Sequence, residues 1–211
     1  MASPVSKLIY IGDPMCSWCW GFAPEIESLA EEHPVDVVVG GLRPGPMAQT
    51  LDDGLAGFLR RHWNEISERT GQPFDNAFLD RRDGWVYDTE PAAIAVTSFR
   101  QIKEPLTLEF FTGVQHAFYA QGRDVTDSSV LADLASEHGI DRHEFASSLE
   151  DEAARERAWE DFAKARNWGI SGFPTLVGEL ADGRLALLAR GWTRAEVLRD
   201  RIASLDEALA G

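Results

Sequence analysis

Short apolar runs open and close the chain, and a long stretch with helical spacing separates them. Lys7-Leu8-Ile9-Tyr10-Ile11 is almost wholly apolar, which predicts a short strand buried on both faces. Beyond Cys19, Phe22, Ile26 and Leu29 recur at steps of four and three, the spacing of one helix face. Val35 to Val39 is a β-branched run broken by Asp36, and Gly40-Gly41 with Pro44-Gly45-Pro46 ends it. This opening is β-α-β and predicts a parallel pair with a right-handed crossover.

From about Met47 to Trp168 the pattern predicts helices and no strand. Leu51, Leu55, Phe58, His62 and Ile66 keep one helical stripe. Thr89-Glu90-Pro91 has the form of a helix start, with Thr89 as cap and proline in the first turn. Helices are expected around 90–103, 105–120, 128–138, 141–149 and 151–167, punctuated by Gly122, Gly139 and the Asp141-x-x-Glu144 capping pattern. Strand sequence returns at Thr175 to Glu179 and Arg184 to Ala189, joined by the hairpin signal Ala181-Asp182-Gly183. Gly191 then turns the chain. Thr193 and Glu196 frame a capping box, and Leu198, Ile202, Leu205 and Leu209 stripe a last helix. The expected organisation is an α/β unit made of residues 1–45 and 168–211, with residues 46–167 inserted as a helical subdomain.

With 211 residues, 44% of them hydrophobic, the chain is long and apolar enough for one full core. A formal charge of −15 argues against nucleic acid or an anionic membrane surface as partner. No apolar run is long enough to span a bilayer. Met1 to Lys7 has no charged segment followed by an apolar one, so the expected compartment is the cytoplasm.

Cys16-Ser17-Trp18-Cys19 contains the only two cysteines, too few for a structural disulfide framework. On a helix these two positions lie on one face about a turn apart, so a small disulfide ring can close between them. Cys16 would stand at the helix N-terminus, where unpaired N–H groups and the helix dipole favour a thiolate nucleophile. Cys19, a turn deeper, would resolve the mixed disulfide. A zinc site would need four ligands, and none of the five histidines has ligand spacing to this pair. Asp13 reads first as a solvated turn former; pointing inward, it would tune Cys16 by raising its pKa. Ser17 and Trp18, between the thiols, bring no cation to stabilise a thiolate. Trp18 is expected to face outward as part of an apolar platform for substrate, and Trp20 to pack. His116 and Arg43 could approach the dithiol, but a surface histidine and a solvated arginine are their default readings.

Asp13 to Phe22, reading Asp-Pro-Met-Cys-Ser-Trp-Cys-Trp-Gly-Phe, resembles the active-site segment of the DsbA family of thioredoxin-fold oxidoreductases. It looks closest to the cytoplasmic branch described as protein-disulfide isomerases. Pro24 falls where thioredoxin-fold proteins carry a helix-kinking proline. Ala120 to Asp127 is similar to a recurrent segment of the DsbA-type helical insertion, and Gly172-Phe173-Pro174-Thr175 resembles the cis-proline segment. The likeness covers nearly the whole chain. It implies a thioredoxin-like fold with a large all-helical insertion, and a cis Phe173–Pro174 bond packed against the dithiol. It also implies that Phe173 and Pro174 bind substrate, the Phe173 backbone pairing with an extended segment. The DsbA proteins proper carry a histidine between the cysteines, and Ser17-Trp18 departs from that. A less stabilised thiolate gives a less oxidising couple.

The resulting expectation is a thiol–disulfide oxidoreductase or isomerase acting on protein or peptide thiols and disulfides. No metal and no organic cofactor is expected, and glutathione or a thioredoxin-like protein would be the redox partner. Two alternatives remain. One is a glutathione-dependent enzyme like the kappa-class transferases and hydroxychromene-carboxylate isomerases, whose lone serine at the Cys16 position this chain lacks. The other is a redox-sensing protease adaptor.

Overall fold

The structure is a computed structural model that describes residues 5–81 and 83–210, with side chains as far as Leu205. The expected stripe position Leu209 lies outside the described side chains. A four-stranded sheet runs in the order β2-β1-β5-β6, built from β1 (Val5–Gly12), β2 (Val35–Val39), β5 (Thr175–Leu180) and β6 (Leu185–Arg190). β2 is parallel to β1; β5 is antiparallel to β1, and β6 to β5. Successive side chains of β1 point to opposite faces. Leu8 and Tyr10 enter the main core with Phe22 and Ile26 of α1 (Ser17–Ala30). Ile9 and Ile11 enter a second core with Val38, Val177 and Ala165 of α7 (Glu152–Asn167). Both faces are covered, which is why this strand reads as a continuous apolar run.

β2 lies at one edge of the sheet, and side chains seal it. Asp161 Oδ2 accepts from Val39 N at 3.0 Å, and Arg100 Nη1 donates to Val37 O at 2.7 Å. The two side chains pair bidentately at 2.8 and 3.1 Å. Strand-edge groups that would otherwise invite another chain are thereby satisfied.

Among the described residues, six α-helices lie between β2 and β5: α2 (Asp53–Thr70), α3 (Glu90–Lys103), α4 (Thr107–Tyr119), α5 (Ser128–Ser136), α6 (Arg142–Ser148) and α7. They follow the expected segments closely. Asp141 caps α6 by accepting from His143 N and Glu144 N, both at 2.9 Å. The stretch also holds strands that its pattern does not predict. β3 (Gln49–Thr50) and β4 (Val86–Tyr87) form a two-stranded antiparallel pair. Strands of two residues show no periodicity, and only the tertiary pairing defines them.

The stripe on α2 is also corrected. Its buried residues are Ala56, Leu59, Trp63 and Ile66. Leu51 precedes the helix and Phe58 is exposed. Charged residues flank both candidate stripes, so packing against α1 and α4, not composition, selects the buried face.

Two expected caps are replaced by tertiary contacts. The Thr89 hydroxyl accepts from Arg43 N at 3.0 Å and makes no side-chain cap for α3. At the start of α8 (Ala195–Ala210), the N–H of Ala195 donates to Glu25 Oε2 of α1 at 2.7 Å, while the Thr193 hydroxyl faces Gly191 O. In α1, Pro24 has no N–H for the carbonyl of Trp20, one turn back. The Gln72 amide takes that place, donating to Trp20 O at 3.0 Å.

Candidate active site

β1 ends at Gly12, and Asp13-Pro14-Met15 turns the chain into α1. Cys16 is the N-cap of that helix, in extended conformation (φ −91°, ψ 117°), and its N–H donates to Asp13 O at 3.0 Å. Cys16 and Cys19 are unbonded thiols. Cys16 is 6% exposed and Cys19 is fully buried. Burial first, then the neighbouring Cys16 sulfur, pushes the Cys19 thiol well above its ordinary pKa; the Asp13 N–H and the Tyr10 hydroxyl oppose this. Burial thus favours the neutral form of Cys19.

The second element faces Cys16 from the start of the neighbouring strand β5. The Phe173–Pro174 peptide bond is cis. Phe173 O lies 3.7 Å from Cys16 Sγ, and Pro174 O accepts from Gly191 N at 2.7 Å. Gly40, just past β2, provides room for Phe173: a Cβ there would stand 2.1 Å from the phenyl ring. Phe173 itself is half-buried and packs against both cores.

Asp13 differs from its first reading. It is fully buried, not a solvated loop acid. Its Oδ1 accepts from Met15 N at 2.8 Å and its Oδ2 from Leu42 N at 2.7 Å. The carboxylate thus ties the active-site turn to the loop after β2, a long-range contact that no local pattern announces. Burial outweighs these bonds and pushes its pKa up to about 6.

Tyr87 of β4 donates its hydroxyl to Met15 O, one residue before Cys16. Tyr10 folds its ring over Gly12 and packs on Phe22 and Phe111. With Tyr119 these are three fully buried phenols around the turn, each with its pKa raised, chiefly by burial. Sequence reasoning singled out none of them, since each reads as ordinary core.

On the outer side, Ser17 is buried in the first turn of α1, and Trp18 is partly buried against the main core. The Trp18 ring meets His62 edge-on at 5.9 Å, and His62 stacks on Phe58 at 5.6 Å. Phe58 and His62, displaced from the expected core stripe, thus extend the surface beside Trp18. Trp20 is buried and donates Nε1 to Pro73 O at 2.9 Å, which is a packing role. His116 is exposed and lies edge-on to Trp20 at 5.9 Å. Arg43 lies over the Tyr87 ring at 5.0 Å and donates Nε to Gln49 Oε1 at 3.1 Å.

Among the described residues, no group of three or more His, Cys, Asp or Glu could hold a metal ion, and no helix is long and apolar enough to cross a membrane.

A dithiol opening a helix, facing a proline loop on the neighbouring strand of a mixed sheet, defines the thioredoxin-like class of proteins. The family model of the DSBA-like thioredoxin domain matches residues 84–203, which include Phe173 and Pro174. The chain belongs to that family. Solved structures are similar over its whole length. A protein from Nitrosomonas europaea described as a candidate protein disulfide isomerase is 35% identical, with a TM-score of 0.84 over 97% of this chain and 98% of that one. The cytosolic disulfide reductase DsbM from Pseudomonas aeruginosa is 27% identical, with a TM-score of 0.75 over 97% and 98%. Among curated proteins, the ClpXP adapter protein SpxH of Bacillus subtilis is 22% identical over 164 residues, 78% of this chain and 55% of that one. The chain thus spans about half the length of the curated relatives it matches.

Proposed function

We propose that this protein is a thiol–disulfide oxidoreductase that works as a reductase or isomerase, with Cys16 as nucleophile and Cys19 as resolving thiol. The observation that carries this reading is the placement of the less buried thiol at a helix N-terminus, 3.7 Å from the carbonyl before Pro174. Negative charge developing on the Cys16 sulfur is favoured there. A substrate segment would pair with the Phe173 backbone, with Trp18 beside it. The Cys16 thiolate attacks one sulfur of the substrate disulfide, and the other sulfur leaves as a thiolate. Cys19 then gives up its proton to a substrate thiolate and attacks Cys16 Sγ, releasing the second substrate sulfur. Two electrons pass to the substrate, and the protein is left with a Cys16–Cys19 disulfide. In an isomerase cycle the substrate's own thiol resolves the mixed disulfide instead.

The Ser17-Trp18 pair, without a cation between the thiols, favours the reducing direction over strong oxidation. Glutathione or a thioredoxin-like protein would return the dithiol to its reduced form, with no metal or organic cofactor. The likeness to a cytosolic disulfide reductase supports a cytoplasmic setting. In this reading residues 1–45 and 168–211 carry the redox chemistry, and residues 46–167 shape access to it. A glutathione redox titration, followed by tryptophan fluorescence and mass spectrometry, tests the proposal. A single two-electron transition to the intramolecular disulfide is expected, and no transition at any buffer ratio would refute it.

The curated relatives favour a second reading, a redox-sensitive adaptor that presents a partner protein to a protease. Full cellular function of a Cys16→Ser variant would select the adaptor, and its loss would select catalysis.

A further inference from the structure

The three buried phenols behind the dithiol differ in what their hydroxyls face. That of Tyr87 donates to Met15 O. Those of Tyr10 and Tyr119 are buried without a hydrogen-bond partner among the described residues. Tyr119 faces Tyr87, a second phenol, whereas Tyr10 faces the sulfur of Cys19, a group whose charge changes in thiol exchange. A buried hydroxyl without a partner costs free energy, and it points to a state of the protein in which a partner exists.

Strand and helix together aim this hydroxyl. The alternation of β1 turns Tyr10 into the main core that also holds Cys19. Phe22, one turn past Cys19 on α1, packs on the Tyr10 ring at 5.6 Å, and Phe111 of α4 meets it edge-on at 5.4 Å. Gly12 sets the course of the ring: a Cβ there would stand 2.7 Å from Cζ and 2.8 Å from the hydroxyl oxygen. The hydroxyl therefore lies along the end of β1, against the turn that leads into the dithiol. From that turn the Asp13 N–H also meets the Cys19 sulfur. Two donors, one backbone and one phenolic, thus converge on the thiol that resolves.

The phenol is a donor there and not a base. Burial first, then the Cys19 and Cys16 sulfurs and Asp13, push its pKa well above its ordinary value, so it keeps its proton. A donor that gains its partner only as charge develops on the sulfur stabilises the transition state more than the ground state.

We propose that Tyr10 is the hydrogen-bond donor that supports the developing negative charge of Cys19, both when Cys19 resolves the mixed disulfide and when it is expelled in the reverse step. The proposal rests on the exchange reading above and adds a residue to it. In resolution the Cys19 proton passes to a substrate thiolate, the Cys19 sulfur bonds to Cys16, and the second substrate sulfur leaves. Tyr10 donates throughout and loses no proton.

The reverse step tests the proposal. Oxidised protein is mixed with the monothiol cysteamine, whose attack on Cys16 expels Cys19, and tryptophan fluorescence is followed by stopped flow. Tyr10→Phe keeps the ring and removes only the unpartnered hydroxyl. It should slow this step about ten- to a hundredfold, the size of one hydrogen bond to a charged group. A fluorinated tyrosine at position 10, a stronger donor of nearly the same shape, should speed it. In a Cys19→Ser background only the attack of Cys16 on a peptide disulfide is seen, and Tyr10→Phe should leave that rate unchanged. Equal slowing of both steps, which a purely structural role would give, or no slowing of Cys19 expulsion, overturns the proposal.

Infrared spectra of the Cys16→Ser protein separate the two readings, since they need no exchange. Tyr10→Phe should shift the S–H stretching band of Cys19, and an unshifted band overturns the proposal. A shifted band in a protein that exchanges with no thiol or disulfide keeps the Tyr10–Cys19 contact and refutes the exchange reading. Exchange at rates that Tyr10→Phe leaves unchanged does the reverse.

Discussion

Behind the thiols, Tyr10, Asp13, Tyr87 and Tyr119 are fully or almost fully buried, and Asp13 and Tyr87 turn their polar atoms on the backbone of the active-site turn. In front of them, Trp18, His62 and Arg69 remain accessible and touch through ring faces. The rear holds geometry: it fixes the turn that carries Cys16 and buries Cys19, which raises the Cys19 pKa. The front packs more loosely, and in the exchange reading proposed above it is the side that meets substrate. Substitutions behind the dithiol should therefore change stability and pH dependence, and substitutions in front should change substrate choice.

The largest effect belongs to the thiol that joins the two sides. Cys16→Ser should lower disulfide-exchange activity by at least about a hundredfold while leaving the unfolding midpoint nearly unchanged. Residual activity within tenfold of the wild type would remove Cys16 from the chemistry.

The next effect tests the rear. Asp13 has a folded pKa of about 6 against 3.8 for the free group. The folded state therefore holds the Asp13 proton more tightly than the unfolded chain does. Its contribution is most favourable below about pH 4 and is lost as the pH rises through 6. Measured against Asp13→Asn by denaturant unfolding, wild-type stability should fall by about 2 kcal/mol between roughly pH 4 and pH 7. A difference between the two proteins that stays flat with pH would mean that the carboxyl is not buried as described.

The smallest effect tests the front. Trp18→Ala should cost about 1–2 kcal/mol, since its ring is only partly buried, but should raise KM for peptide disulfides more than it lowers kcat. A large fall in unfolding midpoint would place Trp18 with the rear group.

The frame was legible because its elements are periodic or continuous in hydrophobicity. β1, β2, α3, α7 and the β5–β6 hairpin all lie where the pattern puts them. The dithiol and the Phe173-Pro174 segment were legible as local motifs. The rear of the site was not, because long-range contacts make it. Asp13 is held by the N–H of Leu42, and Tyr87 reaches Met15 O from a strand too short to have a period. The same applies to α2, where Trp63 rather than Phe58 faces inward and frees Phe58 and His62 for the front. Arg69 and Trp192 are far apart in sequence and meet only in the folded chain.

The division of labour between the two cysteines is open to direct chemical trapping. Cys19→Ser and Cys16→Ser variants are mixed with a peptide disulfide, quenched with acid and mapped by mass spectrometry. The Cys19→Ser protein should accumulate a mixed disulfide on Cys16, and the Cys16→Ser protein should carry almost none on the buried Cys19. Equal adducts on the two thiols, or adducts on neither, would contradict it.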